Sequence, residues 1–238
     1  VEGRSLTTYT YGKGATEVLF VGGIHGGYEW NSVFLAYRMM DYLEANPSAI
    51  PANVSVTIIP SANPDGLYDV VGVEGRFAVE DVPDAPNTTG IGRFNANDVD
   101  LNRNFGCKWQ SESTWKGKKV SAGLSAFSEP EAKAIRDFVV KAKPAAAIFW
   151  HSSANTVYAS ECEKGILPVT LTLMNTYATA ASYGQVKKFD AYPITGDVEG
   201  WLASIGIPAI TVELETHDST DWERNLAGVR AVIASYQE

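Results

Sequence analysis

The chain has 238 residues, of which 45% are hydrophobic and 20% are charged, and its formal net charge is -9. This length predicts a single domain over residues 1–238. The acidic balance argues against a nucleic-acid partner, because phosphate backbones are bound by clustered Lys and Arg. No apolar run approaches the length of about 18 residues that would predict a membrane span.

Strand-like and helix-like segments alternate along the chain, which predicts an α/β sandwich around a mostly buried sheet. The predicted strands are 6–11, 17–22, 54–59, 145–150, 186–190 and 208–214, and the predicted helices are 30–43, 128–142, 167–183, 198–204 and 222–236. Residues 61–128 are rich in Gly, Asn, Asp and Pro and are predicted to form long loops. A loop region of that length is usually functional.

Two of the three histidines directly follow apolar runs. His25 comes after 18–24 and His151 after 147–150. The carboxyl ends of strands are where open α/β sheets place ligand sites. With Glu29 four residues after His25, the set matches a catalytic zinc site of two histidines and one glutamate that keeps a coordination position open.

Two further segments carry polar groups that suit chemistry on a carboxylate or a peptide bond. In 98–105, an Arg next to an Asn offers the guanidinium and amide donors that hold a carboxylate. Glu213 lies in a β-branched, apolar strand, where a carboxylate is either paired or functional because an unpaired buried charge is costly. Next to a metal-bound water it would act as general base. Glu215 has the same strand phase, so either residue could hold this role.

Taken together and in this order, these stretches resemble the zinc metallocarboxypeptidase family in its bacterial form with a single catalytic domain. The matching segments are 1–4, 25–29, 63–66, 100–105, 128–131, 151–152, 192–196 and 213–214. The Asp-Leu-Asn-Arg-Asn-Phe run at 100–105 is the most specific of them. The resemblance implies a mixed, mostly parallel twisted sheet with helices on both faces, and hydrolysis of a C-terminal peptide bond.

The resemblance also implies one Zn²⁺ ion bound by His25, Glu29 and His151. Asp100 would not bind the metal itself but would orient the His25 ring, as metal-bound imidazoles usually require. One feature departs from the family pattern, which has two residues between the first His and the Glu. Here Gly26–Tyr28 supply three, so Glu29 is displaced unless the loop bulges.

The remaining implied roles concern the reaction and the substrate. Arg93 would stabilise the oxyanion, and Glu213 would be the general base and then the proton donor. The substrate itself would be contacted by four residues: Asn102 and Arg103 at its C-terminal carboxylate, Tyr192 as a mobile cover, and Glu199 as the group that selects the last side chain. An acid at that position would favour Lys, Arg or diaminopimelate ends.

The two cysteines are too few for a disulfide scaffold. Cys107 and Cys162 are either two free thiols or one bridge, and their polar, loop-like surroundings favour the bridge. A bridge is typical of exported proteins, so we expect an extracytoplasmic or secreted protein. His217, the third histidine, is expected to be a surface or rim residue rather than a metal ligand.

Two alternatives accompany the peptidase hypothesis. One is a zinc amidohydrolase of the aspartoacylase or succinylglutamate desuccinylase type, which shares the zinc motif and the Asn-Arg pair. The other is a peptide-binding homologue without catalysis. Under the leading hypothesis the partner is a peptide with a free C-terminal carboxylate, and the protein is a monomer.

Overall fold

The computed structural model describes residues 1–84 and 89–237. Its strands are β1 (Tyr9–Gly12), β2 (Thr16–Val21), β3 (Val54–Ile59), β4 (Glu112–Trp115), β5 (Lys118–Ser121), β6 (Ala146–Ser152), β7 (Thr156–Ala159), β8 (Gly184–Val186) and β9 (Ala209–Leu214). Its helices are α1 (Trp30–Ala45), α2 (Pro64–Val71), α3 (Pro130–Ala142), α4 (Pro168–Ala181), α5 (Val198–Ser204) and α6 (Trp222–Ser235).

Within the described ranges, seven strands form one sheet in the order β1-β3-β2-β6-β9-β7-β8. The four central strands β3, β2, β6 and β9 are parallel, whereas β1 pairs antiparallel with β3 and β7 pairs antiparallel with β9; β8 is parallel to β7. The sheet is therefore mixed and mostly parallel in its centre, as predicted. Among the described helices, none is both long and apolar enough to cross a bilayer.

Helices cover both faces of the sheet, which confirms the predicted layer arrangement. In β2, Val18 and Phe20 belong to the core under α1, α4 and α6, while Leu19 and Val21 belong to the core under α3 and α5. The strand is apolar at successive positions because a sheet covered on both sides buries both sets of side chains. In β6, Ala147 and Phe149 point to the α3–α5 side, so His151 continues that face.

The prediction of loops over 61–128 is wrong for part of that segment, and residues 85–88 of it lie outside the described residues. Residues 64–71 form α2: the Asn63 side chain accepts from Gly66 N, Pro64 occupies the first turn, and Gly72 ends the helix at φ 70°. The Asn-Pro-Asp-Gly sequence is thus a helix start, although its composition is that of a turn. The strands β4 and β5 form a hairpin whose two turn residues, Lys116 and Gly117, both have positive φ.

Short edge strands account for the other differences. The strand β7 was not predicted, and it pairs antiparallel with β9 over four residues. The strand predicted at 186–190 is instead β8 at Gly184–Val186, and the first strand is Tyr9–Gly12 rather than 6–11. Edge strands of three or four residues are too short for the alternation of apolar and polar residues to locate them in the sequence.

A buried chain of hydrogen bonds joins the sheet to α4 and α6. Trp150 Nε1 donates to the Tyr177 hydroxyl at 3.0 Å, and that hydroxyl donates to Asn225 Oδ1 at 2.7 Å. Gly228 on α6 leaves room for the Tyr177 ring, because a Cβ there would lie 2.7 Å from the ring carbon Cε1. The hydroxyl thus satisfies polar groups on β6 and α6 inside an apolar core.

We predict that Tyr177→Phe lowers the free energy of unfolding by about 2 kcal/mol, because it leaves a buried donor and a buried acceptor without a partner. Denaturant unfolding measures the change. Tyr9→Phe is the matched control: Tyr9 is 40% exposed, and its loss of a hydroxyl should cost less than about 0.5 kcal/mol. Equal stability of both variants would contradict the role of the network.

Candidate active site

The predicted histidines and Glu213 meet at the carboxyl ends of neighbouring parallel strands. His25 follows β2, and His151 is in β6, which pairs with β2 on one side and with β9 on the other. His151 and Glu213 are direct register partners across β6 and β9. The sheet alone therefore places three candidate groups together.

Glu29 reaches the histidines through a 3-10 turn at Gly26–Glu29. Gly26 has φ 46°, and a Cβ there would lie 2.5 Å from the carbonyl oxygen of Gly92. Only glycine allows such a backbone approach at positive φ. The turn accommodates the extra residue between His25 and Glu29, so the wider spacing does not displace the carboxylate from the site.

The three side chains converge through their candidate ligand atoms: His25 Nδ1 lies 2.8 Å from Glu29 Oε1, and His151 Nδ1 lies 3.1 Å from Glu29 Oε2. All three residues are buried, and their candidate ligand atoms lie within 4.8 Å of one another. Tetrahedral zinc with bonds of about 2.1 Å places ligand atoms about 3.4 Å apart. Glu29 Oε2 is also buried without a hydrogen bond, so the residues present fit one zinc ion.

The charges in this cluster depend on one another. Burial opposes ionisation of Glu29, yet the imidazoles of His25 and His151 hold its pKa well below the usual range. Asp100 is fully buried, and against the same burial effect the Arg93 guanidinium, followed by His25, holds the pKa of Asp100 well below its ordinary value. Both carboxylates are therefore anions held by cationic or metal-binding partners.

Asp100 contacts two of the predicted functional groups at once. Its Oδ2 accepts from Arg93 Nη2 at 2.8 Å, and its Oδ1 lies 3.6 Å from His25 Nε2. The same Oδ1 accepts from Asn102 N at 3.1 Å. This carboxylate lies behind the cleft and joins His25, Arg93 and the 101–103 turn.

The β4–β5 hairpin covers Arg93 and forms a wall of the cleft, which the sequence did not predict. The Arg93 guanidinium lies 4.6 Å from the Trp115 ring centroid, and Lys116 Nζ donates to the Tyr28 hydroxyl at 3.0 Å. Tyr28 is also edge-on to Trp115 at 5.3 Å between centroids. The available signal was a tryptophan in an otherwise polar segment, followed by Lys-Gly at a hairpin turn.

Glu213 and Glu215 differ in their surroundings, which resolves the ambiguity left by strand phase. Glu213 lines the cleft, and burial raises its pKa to about 7. Glu215 is exposed and pairs with Arg224 at 3.2 Å. Of the two, Glu213 is the carboxylate available to the site.

The Asn102–Arg103 pair is held by α5 and by the hairpin. Asn102 Oδ1 accepts from Val198 N at 2.9 Å, which leaves its amide NH₂ group as the donor facing outward. Arg103 Nε donates to Ser113 Oγ at 3.0 Å. A disulfide joins Cys107 to Cys162 with a Cα–Cα distance of 6.0 Å, so the segment after this pair is tied to the segment after β7.

These groups border one cleft of about 1070 Å³. Its lining includes nine of the sequence-predicted residues: His25, Glu29, Arg93, Asn102, Arg103, His151, Tyr192, Glu199 and Glu213. Tyr192 is 42% exposed and packs edge-on against Phe189 at 4.7 Å between centroids. His217 also lines the cleft, and its Nδ1 lies 2.9 Å from Ser152 Oγ, which places it at the rim.

Glu199 differs from the expectation of a freely available acid. It is 2% exposed, its Oε1 lies 3.2 Å from His151 Nε2, and the same oxygen accepts from Thr211 Oγ1 at 3.0 Å. Asp197, which the sequence reasoning did not single out, is partly buried and also lines the cleft. Its position at the start of α5, where its side chain accepts from Gly200 N, was the signal available.

The chain belongs to the zinc carboxypeptidase family, whose model matches residues 1–223. It is 36% identical over 97 residues to the carboxypeptidase N catalytic chain of Rattus norvegicus, covering 37% of this chain and 19% of that protein. It is 23% identical over 224 residues to gamma-D-glutamyl-L-diamino acid endopeptidase 1 of Lysinibacillus sphaericus, covering 85% of this chain and 55% of the relative. The chain thus spans about half the length of these relatives or less.

Among solved structures, murein-tripeptide amidase MpaA from Escherichia coli O157 superposes with a TM-score of 0.64 at 20% identity, covering 98% of this chain and 94% of that chain. At this identity the likeness concerns the fold, and it confirms the predicted zinc carboxypeptidase-like sheet and helix layers.

We predict that Gly26→Ala weakens zinc binding by at least about tenfold, equivalent to about 1.4 kcal/mol, because the new methyl group displaces the turn that carries Glu29. Chelator competition on the metal-free protein measures the affinity. The variant should also unfold at lower denaturant concentration, since positive φ alone costs a non-glycine residue about 1–2 kcal/mol.

Gly72→Ala separates the effect on zinc affinity from the effect on stability. Gly72 has φ 70°, but a Cβ there would meet no atom within 4 Å. This control should lose comparable stability from the backbone strain and keep the parent zinc affinity. Equal zinc affinity of both variants would refute the role assigned to the Gly26 turn.

Proposed function

We propose that the protein is a zinc-dependent metallocarboxypeptidase that hydrolyses the last peptide bond of a substrate with a free C-terminal carboxylate. The observation that carries the proposal is the shared cleft, which combines the His25–Glu29–His151 cluster with Glu213 on the adjacent strand. The Asn102–Arg103 pair on the same cleft supplies donors for a substrate carboxylate.

The roles of the side chains follow from their positions. Zinc bound by His25, Glu29 and His151 would supply an acidified water and a polarised carbonyl. Glu213 would accept a proton from the attacking water and return it to the leaving amine, while the Arg93 guanidinium would face the developing oxyanion. Asn102 and Arg103 hold the end of the substrate, and the exposed Tyr192 covers it.

The proposed preference is for a basic or diaminopimelate-type end. Two carboxylates of α5, Asp197 and Glu199, line the cleft, and burial followed by the charge of Glu199 raises the pKa of Asp197 to about 6. An ammonium group would relieve this repulsion between like charges. The relative from Lysinibacillus sphaericus is named for cleavage next to a diamino acid, which supports the same preference.

The two alternatives make different demands on the cleft. A binding module without catalysis has no use for a carboxylate beside the metal cluster, yet Glu213 lies there next to His151. A deacylase of small amino-acid conjugates needs no cleft of about 1070 Å³ with an exposed tyrosine beside it. Metal analysis combined with hydrolysis of a blocked dipeptide separates the peptidase from both alternatives: zinc with hydrolysis supports the peptidase, and zinc without peptide hydrolysis supports the deacylase or the binding module. Hydrolysis of an N-acyl amino acid then separates these two, because only the deacylase would cleave it.

We also propose an extracytoplasmic or secreted location and a monomeric, single-domain protein over 1–238. The Cys107–Cys162 disulfide supports the location, because such bonds persist mainly in oxidising compartments. Size-exclusion chromatography with light scattering tests the monomer.

We predict that Glu213→Gln keeps the parent zinc content and lowers kcat by about 10³-fold or more, since it removes the proton acceptor while preserving side-chain size. Glu215→Gln is the matched control on the same strand face and should keep near-parent activity. Turnover of a blocked dipeptide measures both, and near-full activity of Glu213→Gln would refute its assignment as general base.

We predict that a library of peptides differing only in the last residue shows highest kcat/KM for Lys, Arg or diaminopimelate ends. Asp197→Asn should reduce that advantage by about tenfold, the effect of losing one partly buried charge pair of about 1.4 kcal/mol. The Asp197→Asn variant can still cap the N-terminus of α5, since Asn is as good a capping residue as Asp. A preference for aromatic ends would reject this substrate class.

A further inference from the structure

Each candidate metal-binding histidine has a carboxylate at its second ring nitrogen. For His25, the Nε2 atom lies 3.6 Å from Asp100 Oδ1. For His151, the Nε2 atom lies 3.2 Å from Glu199 Oε1. The first pair belongs to the roles implied by the family resemblance. The second pair involves a residue for which the resemblance implies a different role, in substrate selection.

The protonation of His151 follows from which nitrogen faces the cluster. Its Nδ1 lies 3.1 Å from Glu29 Oε2 and is the atom available to a metal. A neutral imidazole that donates the Nδ1 lone pair to a metal carries its proton on Nε2. That proton faces Glu199, although in this arrangement the contact does not have hydrogen-bond geometry.

Glu199 is held in this position from two elements. It comes from α5, which packs on the same sheet face to which His151 belongs. The hydroxyl of Thr211, on β9, donates to the same Oε1 that faces His151. With a side chain only 3% exposed, the carboxylate has its charge directed at the imidazole and is poorly placed to be the main contact of a mobile substrate side chain.

Asp197 provides a useful contrast on the same helix. Its carboxylate accepts from Gly200 N at 2.7 Å and makes no ion pair with an imidazole among the described residues. It lines the same cleft and is more exposed than Glu199. Two acids separated by one residue therefore differ in what they touch.

We propose that Glu199 is a positioning residue for the metal, which acts by orienting His151 and fixing its tautomer, and that selection of the substrate end falls to Asp197. The proposal rests on the proposed zinc site and deepens it. Under this proposal each imidazole has a buried carboxylate at its second ring nitrogen. Asp100 supplies it for His25, and Glu199 on α5 supplies it for His151. Carboxylates in this role raise the metal affinity of the histidine they contact.

The test is zinc affinity of the metal-free full chain, measured by competition with a chromophoric chelator. Glu199→Gln should lower the affinity by about 10- to 100-fold, the usual effect of losing such a partner. The visible absorption of the cobalt(II)-substituted variant should shift, because the imidazole orientation changes. Asp197→Asn is the matched control and should bind zinc with parent affinity. Neither measurement depends on peptidase activity.

Substrate profiling separates the two roles further. In Glu199→Gln, the ratio of kcat/KM for Lys ends to that for Ala ends should stay near the parent value while kcat falls for both. Parent zinc affinity in Glu199→Gln, together with a loss of preference for Lys ends, would overturn the inference. A parent chain that binds no zinc would overturn the proposed function and this inference with it.

Thr211→Val provides a second variant that keeps the carboxylate. It removes the hydroxyl that donates to Glu199 and should lower zinc affinity by a smaller factor, about threefold, corresponding to a hydrogen bond worth about 0.6 kcal/mol. Unfolding of each metal-free variant in excess chelator checks the fold. If Glu199→Gln does not fold, unchanged zinc affinity in Thr211→Val overturns the proposal, and a reduced affinity supports it.

Discussion

The carboxylate of Glu29 lies between the imidazoles of His25 and His151 with only 4% of its side chain exposed, and the surrounding backbone must hold these three side chains together. A buried carboxylate is costly unless cationic or metal-binding groups surround it. The two histidines come from β2 and β6, which are neighbours in the sheet, so their carboxyl ends bring the imidazoles together. Glu29 has no strand to position it and depends on the glycine-containing turn before α1.

The groups that would bind the metal and the group that would stabilise the oxyanion share their support. Asp100 contacts both His25 and Arg93, so a shift of this one carboxylate displaces two elements of the proposed chemistry. Asn63, which caps α2, also donates to the carbonyl of Phe94 at 3.0 Å. The segment that carries Arg93 is therefore fixed by the same helix that packs against the Gly26 turn.

The sequence predicts those site residues whose positions depend on the local pattern of apolar and polar residues. His25 and His151 could be predicted because each ends an apolar run, and parallel strands end at one edge of a sheet. The choice between Glu213 and Glu215 could not be predicted, because residues two apart share a strand face and only their tertiary surroundings distinguish them: Glu213 lines the cleft, and Glu215 pairs with Arg224. The contact of Glu199 with His151 likewise depends on how α5 packs on the sheet. The sequence around Glu199 carries no information about that packing.

Tyr28, the extra residue in the metal loop, has a structural partner that the sequence did not reveal. Its ring is edge-on to Trp115, and its hydroxyl accepts from Lys116 at the tip of the hairpin. Trp115 in turn covers the guanidinium of Arg93. The insertion and the hairpin therefore form one wall of the cleft, since a loop without Tyr28 would lose both the hydrogen bond to Lys116 and the ring contact with Trp115. The departure from the usual spacing is thus an addition to the wall around Arg93, and the His25–Glu29–His151 cluster keeps its arrangement.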